Sequence, residues 1–363
     1  MEQLLTLTSA RGIGSVRYER LVQHFGNLDS ILKARQSELE HVPGIGPELA
    51  HEIRQSIEEK RGSQELQQAK KAGVKIITYE DESYPENLRT IYDYPLLLYI
   101  KGELKSEDNL AVAIVGSRRA TYYGKRQSEL LAYDLALRGI CVISGLARGI
   151  DTYAHMGALK AKGRTIAVLG CGLNNIYPAE NKKLAQDIAK NGAVISELPM
   201  NTPPDSRNFP VRNRIISGLS VGVLVVEAPF KSGALITVNM ALDQNRDVFA
   251  VPGKVDSLTS QGCHYLIKQG AKLVENVDDI LEELALYQTR IKSVLKEEKK
   301  KSVVLDYRQE IILNLLSKDE PRHIDEIIIE SKLSPPLVSA TLLDMELKRY
   351  IKQLPGKNFL RVV

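Results

Sequence analysis

The chain has 363 residues, which is too long for one ordinary domain and suits two or three. Its 43% hydrophobic and 26% charged residues are typical of a soluble globular protein, and its net charge of +4 permits nucleic acid as a partner without requiring it. No signal-peptide pattern and no run of roughly 18 apolar residues is present, so we expect a cytoplasmic protein. Three widely spaced cysteines argue against a zinc site or disulfide framework, and we expect no metal and no cofactor.

Residues 1–64 are predicted to form a small helical domain. The pattern Gly-Ile-Gly followed by an amphipathic helix occurs twice, at Gly12–Gly14 and at Gly44–Gly46. This weak repeat is typical of tandem helix-hairpin-helix units in a SAM-like domain, where glycine lets backbone amides approach a phosphate. Glutamates rather than a basic cluster follow the second turn. Tight turns alone, or contact with another protein, are therefore alternatives to DNA contact.

Residues 65–288 alternate strand-like and helix-like segments. The strand-like segments, such as "AVAIV" and "VGVLVV", are almost wholly apolar, so we expect both of their faces to be covered. This pattern predicts an α/β domain with a doubly wound, mostly parallel, extended Rossmann-like sheet. Ligands of such sheets bind beyond the carboxyl ends of the strands, so the loops after the apolar runs are the candidates for a site.

The remainder of the chain begins with a charged stretch. Residues 289–303 are rich in lysine and are predicted to be a mobile linker. Residues 304–363 contain three helical patterns and a hairpin with Pro-Gly at its turn, which is typical of a winged helix. A third helix that reads DNA enters the major groove. Here that helix begins without Arg, Asn or Gln, so the sequence favours contact with a protein over base readout.

Four loops of the middle region carry glycine or basic residues and are expected at the same edge of the sheet. A glycine-serine turn before a helix offers free backbone amides, and arginine adds a forked cation. Each loop alone could be only a tight turn, but together they predict a site for a chain of phosphates. The residues that carry this prediction are Gly116, Ser117, Arg118, Arg119, Arg148, Lys231, Ser232 and those around Phe209.

The stretch "FPVRNRIISG", residues 209–218, is predicted to lead directly into a core strand. Phe209 offers a ring on which an unpaired base can stack, and a basic groove beside such a ring suits single-stranded nucleic acid. The polar residues that follow the ring are Arg212, Asn213 and Arg214. The alternatives are a hydrophobic plug for the ring, and internal bonding to loop carbonyls or glutamates for the arginines.

Catalytic residues are not evident. Asp151 and His155 lie four residues apart on a predicted helix and could work together as a base, but a capping aspartate and a buried histidine explain them equally well. "GCGLNN", residues 170–175, lacks the third glycine of a dinucleotide fingerprint, and the sequence contains no GxxxxGK[ST] motif. We therefore do not expect an enzyme.

The middle region contains long and specific motifs. They include "SGLARGID" at residues 144–151, "FPVRNRIISG" at 209–218, and "FAVPG" at 249–253. These motifs closely resemble the DNA-processing protein A family, also called DprA or Smf. The resemblance covers nearly all of residues 65–285, and the family's three-part layout also fits both ends of the chain.

The resemblance implies a protein that is not an enzyme. Members of this family bind single-stranded DNA during natural transformation and DNA recombination, protect it, and load the RecA recombinase onto it. The resemblance further implies interplay with single-stranded-DNA-binding protein, and a homodimer that associates further on DNA.

Residue roles follow from the same resemblance. Backbone phosphate would be held by Gly116, Ser117 and Arg118, a base would stack on Phe209, and the same pocket would be lined by Arg212, Asn213 and Arg214. The segment "GCHYLIKQGAKLV" resembles the family's self-association and recombinase-contacting region, and its interface residues would be His264, Leu266 and Ile267. One departure concerns Ser206, where some members carry lysine; the neighbouring Arg207 could substitute for it.

The alternative function is that of a nucleotide-processing enzyme with a related sheet, such as the phosphoribohydrolases. Those enzymes use a PGGxGT loop with a catalytic glutamate just beyond it. The matching loop here, "PFKSGALITVN", lacks the second glycine and the glutamate, which argues against hydrolysis. A pure scaffold that used only its end domains would leave the four basic loops without a purpose.

Overall fold

The computed structural model describes residues 1–284, 306–317, 320–348 and 350–362. The chain divides into two units, Met1–Leu295 and Lys296–Val363. The predicted linker, residues 289–303, lies outside the described residues. Each unit is described by itself below.

The larger unit begins with six helices. They are Glu2–Thr8 (α1), Ser15–Phe25 (α2), Leu28–Lys33 (α3), Gln36–Leu39 (α4), Pro47–Glu58 (α5) and Arg61–Lys71 (α6). Helices α2 and α5 start directly after the two Gly-Ile-Gly turns. Gly12 and Gly44 have φ angles of 101° and 88°, a left-handed region that glycine adopts without strain. The Arg17 guanidinium donates to both of their carbonyls, at 2.6 and 3.0 Å, and so ties the two turns together.

Helix α6 runs through the predicted boundary between residues 64 and 65. The sequence contains no break there because this one helix packs both against the helical module and against the sheet. Ala69 packs in one buried cluster with Leu4 and Leu5 of α1 and with Tyr99 of the sheet. The helical module is therefore packed directly against the α/β region.

A nine-stranded sheet forms the centre of this unit. Its strands are Lys75–Thr78 (β1), Leu97–Gly102 (β2), Ala111–Val115 (β3), Cys141–Ser144 (β4), Thr165–Val168 (β5), Gly192–Ser196 (β6), Gly222–Val225 (β7), Asp247–Ala250 (β8) and Lys272–Leu273 (β9). Their order is β1-β2-β6-β5-β4-β3-β7-β8-β9. Strands β3 to β9 pair in parallel, and β1 and β2 form an antiparallel edge. The mostly parallel sheet confirms the prediction, although β2 and the two-residue β9 were not recognised in the sequence.

Helices cover both faces of the sheet, as the apolar strands required. They are Glu86–Arg89 (α7), Tyr122–Leu137 (α8), Ile150–Lys160 (α9), Lys182–Asn191 (α10), Asn208–Leu219 (α11), Gly233–Asp243 (α12), Gln261–Lys268 (α13) and Val277–Glu283 (α14). Helices α8, α9 and α10 pack on one face, and α11, α12 and α13 pack on the other. This arrangement is doubly wound.

The prediction that residues 209–218 lead directly into a core strand is wrong. They belong to helix α11, and the strand begins only at Gly222. The apolar residues Ile215, Ile216 and Leu219 are buried against the sheet, which is the spacing of a helix face rather than of a strand. The sequence joined this helix to β7 in one apolar run and so concealed the turn between them.

The smaller unit has the winged-helix arrangement that its sequence predicted. Its helices are Tyr307–Leu315 (α15), Ile324–Ser331 (α16) and Pro335–Leu347 (α17), and its strands are Arg322–His323 (β10), Ile351–Leu354 (β11) and Asn358–Arg361 (β12). The strands form a sheet in the order β10-β12-β11. Ile312, Ile327, Val338 and Phe359 meet in its core.

Candidate nucleic-acid interface

A cleft of about 850 Å³ lies at the carboxyl edge of the parallel strands. Loops after β3, β4, β5 and β7 and the start of helix α11 form its walls, which is the place where ligands bind in open α/β sheets. Most of the predicted site residues line this one cleft. They are Gly116, Ser117, Arg118, Arg119, Phe209, Arg212, Asn213, Lys231 and Ser232.

Three cations at the cleft are exposed to solvent: Arg118, Arg119 and Lys231. Among the described residues, no acidic side chain forms an ion pair with any of them. The guanidinium of Arg118 lies over the Phe209 ring, 5.3 Å from its centroid. These three side chains give the cleft a positive charge that no carboxylate in the described ranges pairs with.

A carboxylate occupies the N-terminus of helix α8. Glu227 is 3% exposed and accepts hydrogen bonds from the Thr121 amide and hydroxyl, both at 2.8 Å, and from the Thr259 hydroxyl at 2.7 Å. Its backbone carbonyl accepts from the Ser117 amide at 2.7 Å, and the Arg119 amide donates to the Ser117 hydroxyl. The expectation that this turn offers free amides is therefore wrong for these three amides.

Arg212 lies at the floor of the cleft and is only 5% exposed. Its guanidinium donates to the carbonyls of Gly145, at 2.9 Å, and Val168, and to the side chain of Asn213, at 3.1 Å. Burial lowers the pKa of Arg212 to about 10, so the group stays charged at neutral pH. Internal bonding to loop carbonyls, one of the two alternatives for this residue, is what the structure shows.

Asp151 and His155 each bond to other groups of the interior. Asp151 accepts hydrogen bonds from the amides of Gly145 and Ala147, and burial raises its pKa to about 6 against the opposing effect of Arg212. His155 is fully buried, with Nδ1 2.7 Å from the Thr165 hydroxyl, and burial lowers its pKa to about 3. Both side chains thus make hydrogen bonds within the protein interior.

Arg214 does not line the same pocket as Phe209, so that expectation is wrong. It lies on the same helix, two residues beyond Arg212, and lines a separate cavity beside the first Gly-Ile-Gly turn. Its guanidinium pairs with Glu197 at 2.7 Å and with Asp93 at 3.0 Å. Because side chains two residues apart on a helix point in different directions, Arg212 and Arg214 could not both face one pocket.

Arg148 lines a small pocket of about 30 Å³ that adjoins the cleft. Its guanidinium forms an ion pair with Glu180, and the hydrogen bond to that carboxylate raises the pKa of Arg148. Both side chains are more than half exposed, so this ion pair is open to solvent. Arg148 therefore lies near the cleft, but its guanidinium is already paired with Glu180.

The Phe209 ring is half-buried among three neighbours. Arg118 covers it, the Tyr177 ring lies 5.7 Å away at an angle of 33°, and Gly170 lies beneath it. Tyr177 lines the cleft and was missed by the sequence analysis. Its position in the loop after β5 was the available signal, because that loop also ends at the carboxyl edge of the sheet.

The residues proposed for self-association lie on helix α13. Leu266 is 7% exposed and packs in the main core of its own chain, so its prediction as an interface residue needs correction. Ile267 packs against the same core, and His264 Nε2 lies 3.0 Å from the Gly253 carbonyl. The outward-facing apolar residue of this helix is Tyr265, which is 43% exposed and meets Phe230 edge-on.

Comparisons with known proteins identify the family. Residues 75–285 match the model of the DNA recombination-mediator protein A family. The chain belongs to this family. Residues 296–357 match the DprA winged helix domain and residues 4–65 match the helix-hairpin-helix motif, in agreement with the two end modules described above.

Individual relatives agree with this family. Protein Smf of Escherichia coli K12 is 42% identical over 287 residues, which are 77% of this chain and 76% of that protein. DNA processing protein DprA of Bacillus subtilis 168 is 45% identical over 213 residues, 58% of this chain and 72% of that protein.

Two solved structures of DNA processing protein A are similar to this one. The Streptococcus pneumoniae protein gives a TM-score of 0.68 at 36% identity, and the match covers 78% of this chain and 98% of that chain. The Helicobacter pylori protein, described for its single-stranded DNA binding mode, gives a TM-score of 0.51 at 33% identity. That match covers 61% of this chain and 97% of the Helicobacter pylori chain.

In the described part of the chain, no helix combines the length and apolar composition that crossing a membrane requires.

Proposed function

We propose that this protein binds single-stranded DNA in the cleft at the carboxyl edge of its sheet. Phosphates pair with Arg118, Arg119 and Lys231, and an unpaired base stacks on Phe209. The observation that carries the proposal is the convergence in one cleft of an aromatic ring and these three exposed cations, none of which has an acidic partner among the residues that the structure describes. The single-stranded DNA binding mode described for the Helicobacter pylori relative supports it.

The geometry favours a single strand over a duplex. An aromatic ring on the protein gains about 1–3 kcal/mol by stacking on an unpaired base. In a duplex the bases are already stacked on one another, so Phe209 would gain little. The cations are exposed side chains rather than fixed backbone amides, because Glu227 already accepts from the turn. They can therefore follow a flexible phosphate backbone.

The proposed role is that of a cytoplasmic recombination mediator without catalytic activity. It holds the strand during DNA recombination and natural transformation, works in interplay with single-stranded-DNA-binding protein, and passes the strand to the RecA recombinase. It acts as a homodimer that associates further on DNA, with α13 at the interface. Membership of the family supports this role.

The binding proposal is tested by fluorescence anisotropy with labelled single-stranded and duplex oligonucleotides over a salt series. Arg118→Ala should weaken single-strand binding and reduce the salt slope by about one. Phe209→Ala should weaken binding by about 1–3 kcal/mol with an unchanged slope. Arg126→Ala is the matched control, because Arg126 is an exposed arginine of helix α8 that does not line the cleft. Equal affinity for duplex, or unaffected variants, would contradict the proposal.

The recombinase role needs its own measurement. The protein should accelerate formation of RecA filaments on oligonucleotides already covered by single-stranded-DNA-binding protein, and Arg118→Ala should not. Sedimentation of the wild-type protein and of Tyr265→Glu tests the dimer, since a charge on the exposed side of α13 should shift the dimer towards monomer. Release of free base from a nucleoside monophosphate would contradict the non-enzymatic role.

A further inference from the structure

Tyr177 is an exposed aromatic side chain at the proposed DNA site to which no role has been given. It is 39% exposed and lines both the cleft and the small pocket beside it. Its ring contacts the Phe209 ring, with 5.7 Å between the centroids and 33° between the planes. The Tyr177 ring is thus open to solvent at a place where a ligand in the cleft could contact it.

The loop that carries Tyr177 is held firmly on both sides. The Asn175 amide group donates to the carbonyls of Asn201, at 2.9 Å, and Thr202, at 3.3 Å. The Asn181 amide group donates to the Leu146 carbonyl at 2.8 Å. The loop that carries Tyr177 is therefore hydrogen-bonded to two neighbouring segments. Its ring can contact a ligand without the entropy cost of ordering a mobile loop.

The glycines before Tyr177 explain why this loop looks like a broken dinucleotide fingerprint. A Cβ atom on Gly170 would lie 2.7 Å from Cδ1 of Phe209, and one on Gly172 would collide with the backbone of Pro199 and Met200. Both glycines thus allow close packing of the loop against its neighbours. The two glycines of "GCGLNN" are therefore explained by close packing, against Phe209 and against the segment at Pro199, and not by a phosphate loop.

We propose that Tyr177 stacks on a second unpaired base, next to the base on Phe209. The surroundings of the two rings support this assignment. Arg118 covers the Phe209 ring and Gly170 lies beneath it, so the Tyr177 ring is the more exposed of the two. Two arginines lie nearby: Arg118 contacts the Phe209 ring, and Arg148, which is paired with Glu180, lines the pocket that Tyr177 also lines. The pair forms a two-ring platform within a basic site, the arrangement that binds successive bases of a single strand.

This inference rests on the proposed single-strand binding and makes it more specific. The site should recognise at least two adjacent unpaired bases. Loss of one base from the strand should then remove the contribution of one ring, and the salt slope should stay unchanged because tyrosine meets no phosphate.

The experiment measures the affinity of the full-length protein for a labelled oligothymidine and for the same strand with abasic sites. Tyr177→Ala should bind oligothymidine about 5- to 100-fold more weakly than wild type, whereas Tyr177→Phe keeps the ring and should bind within about twofold. Tyr122→Ala is the control, because Tyr122 is 80% exposed and does not line the cleft. Abasic sites should weaken wild type more than Tyr177→Ala.

Separate outcomes overturn separate claims. Unchanged affinity of Tyr177→Ala, together with weak binding by Arg118→Ala, would overturn this inference and leave the single-strand proposal standing. Equal loss in Tyr177→Ala and Tyr177→Phe would assign the hydroxyl group, not the ring, and would overturn stacking. Absence of single-strand binding by the wild type would overturn both. A photo-crosslink from 5-iododeoxyuridine to Tyr177 in the wild-type protein supports the contact without any substitution.

Discussion

The guanidinium of Arg118 lies 5.3 Å from the centre of the Phe209 ring, so the two residues proposed to hold a phosphate and a base already contact each other. A cation over an aromatic face is held by the ring quadrupole. A base that stacks on the same face must move the guanidinium aside, and the released cation can then pair with a phosphate. The two residues therefore act together in binding.

The first prediction is that Arg118→Ala and Phe209→Ala are not additive. Each variant alone loses its own DNA contact but also removes the cost of parting the guanidinium from the ring. The double variant removes that cost only once, so it should lose about 0.5–1.5 kcal/mol more binding free energy than the sum of the single losses. Anisotropy titrations of all four proteins measure the difference. Arg126→Ala combined with Phe209→Ala should be additive, and coupling in that pair as well would point to a general disturbance.

The second prediction concerns the buried carboxylate at the start of helix α8. Both carboxylate oxygens of Glu227 accept hydrogen bonds, and Glu227→Gln keeps one acceptor oxygen but replaces the other with an NH2 group, so the turn that carries Arg118 should loosen. We expect a loss of about 1–3 kcal/mol in the free energy of unfolding and weaker DNA binding. Glu227→Ala should regain affinity when acetate is added. Glu129→Gln, which changes an acid paired with Lys160, is the control. Stronger DNA binding by Glu227→Gln would show that the carboxylate competes with phosphate.

The third prediction compares Gly170, which lies beneath the Phe209 ring, with Gly233, which lines the cleft. Alanine at Gly170 would place a methyl group 2.7 Å from the Phe209 ring, whereas the same change at Gly233 meets nothing within 4 Å. Gly170→Ala should displace the ring and cost about 1–3 kcal/mol of stability together with DNA affinity. Gly233→Ala should leave both nearly unchanged. Thermal melting and anisotropy check the two variants side by side, and similar behaviour would contradict the packing described for Phe209.

The fourth prediction uses the ion pair between Arg148 and Glu180. Since both side chains are exposed, Glu180→Gln should release Arg148 without harm to the fold. Single-strand affinity should rise about two- to fivefold at low salt, and the gain should vanish at high salt. Asp187→Asn breaks a comparable exposed pair with Lys190 that does not line the cleft, and should have no such effect. A gain in both variants would reflect net charge alone.

The fifth prediction is a pH effect from His155. Burial lowers its pKa from 6.5 to about 3 in the folded protein. Below pH 6.5 the unfolded chain binds a proton that the folded protein excludes, so stability falls as the pH falls. Between pH 7 and pH 5 the wild type should lose about 2 kcal/mol more than His155→Gln. The raised pKa of Asp151 has the opposite effect on the pH dependence of stability, but Asp151 is present in both proteins, so its effect cancels in the comparison. Urea unfolding at the two pH values measures the difference, and parallel losses would contradict it.

Much of the site could be predicted from the sequence, because strand ends are local features. The apolar run before Gly116 and the one before Gly145 showed where their strands stop, and the parallel pattern placed both stops at one edge. Arg118, Phe209 and Lys231 do line one cleft. The strand predicted after Phe209 failed because a helix and a strand can share one continuous apolar run, which periodicity alone cannot divide.

The sequence by itself determined the family, the parallel sheet, the winged helix and the identity of the residues at the sheet edge, since these depend on local pattern and on motifs along the chain. Only the tertiary structure decided how each charge is used. Glu227, Asp151 and Glu180 lie far along the chain from the groups that they meet, which are the Thr121 amide, Arg212 and Arg148. Whether a cation faces solvent or a carboxylate depends on such long-range contacts, because Coulomb energy depends on distance in space and not along the chain.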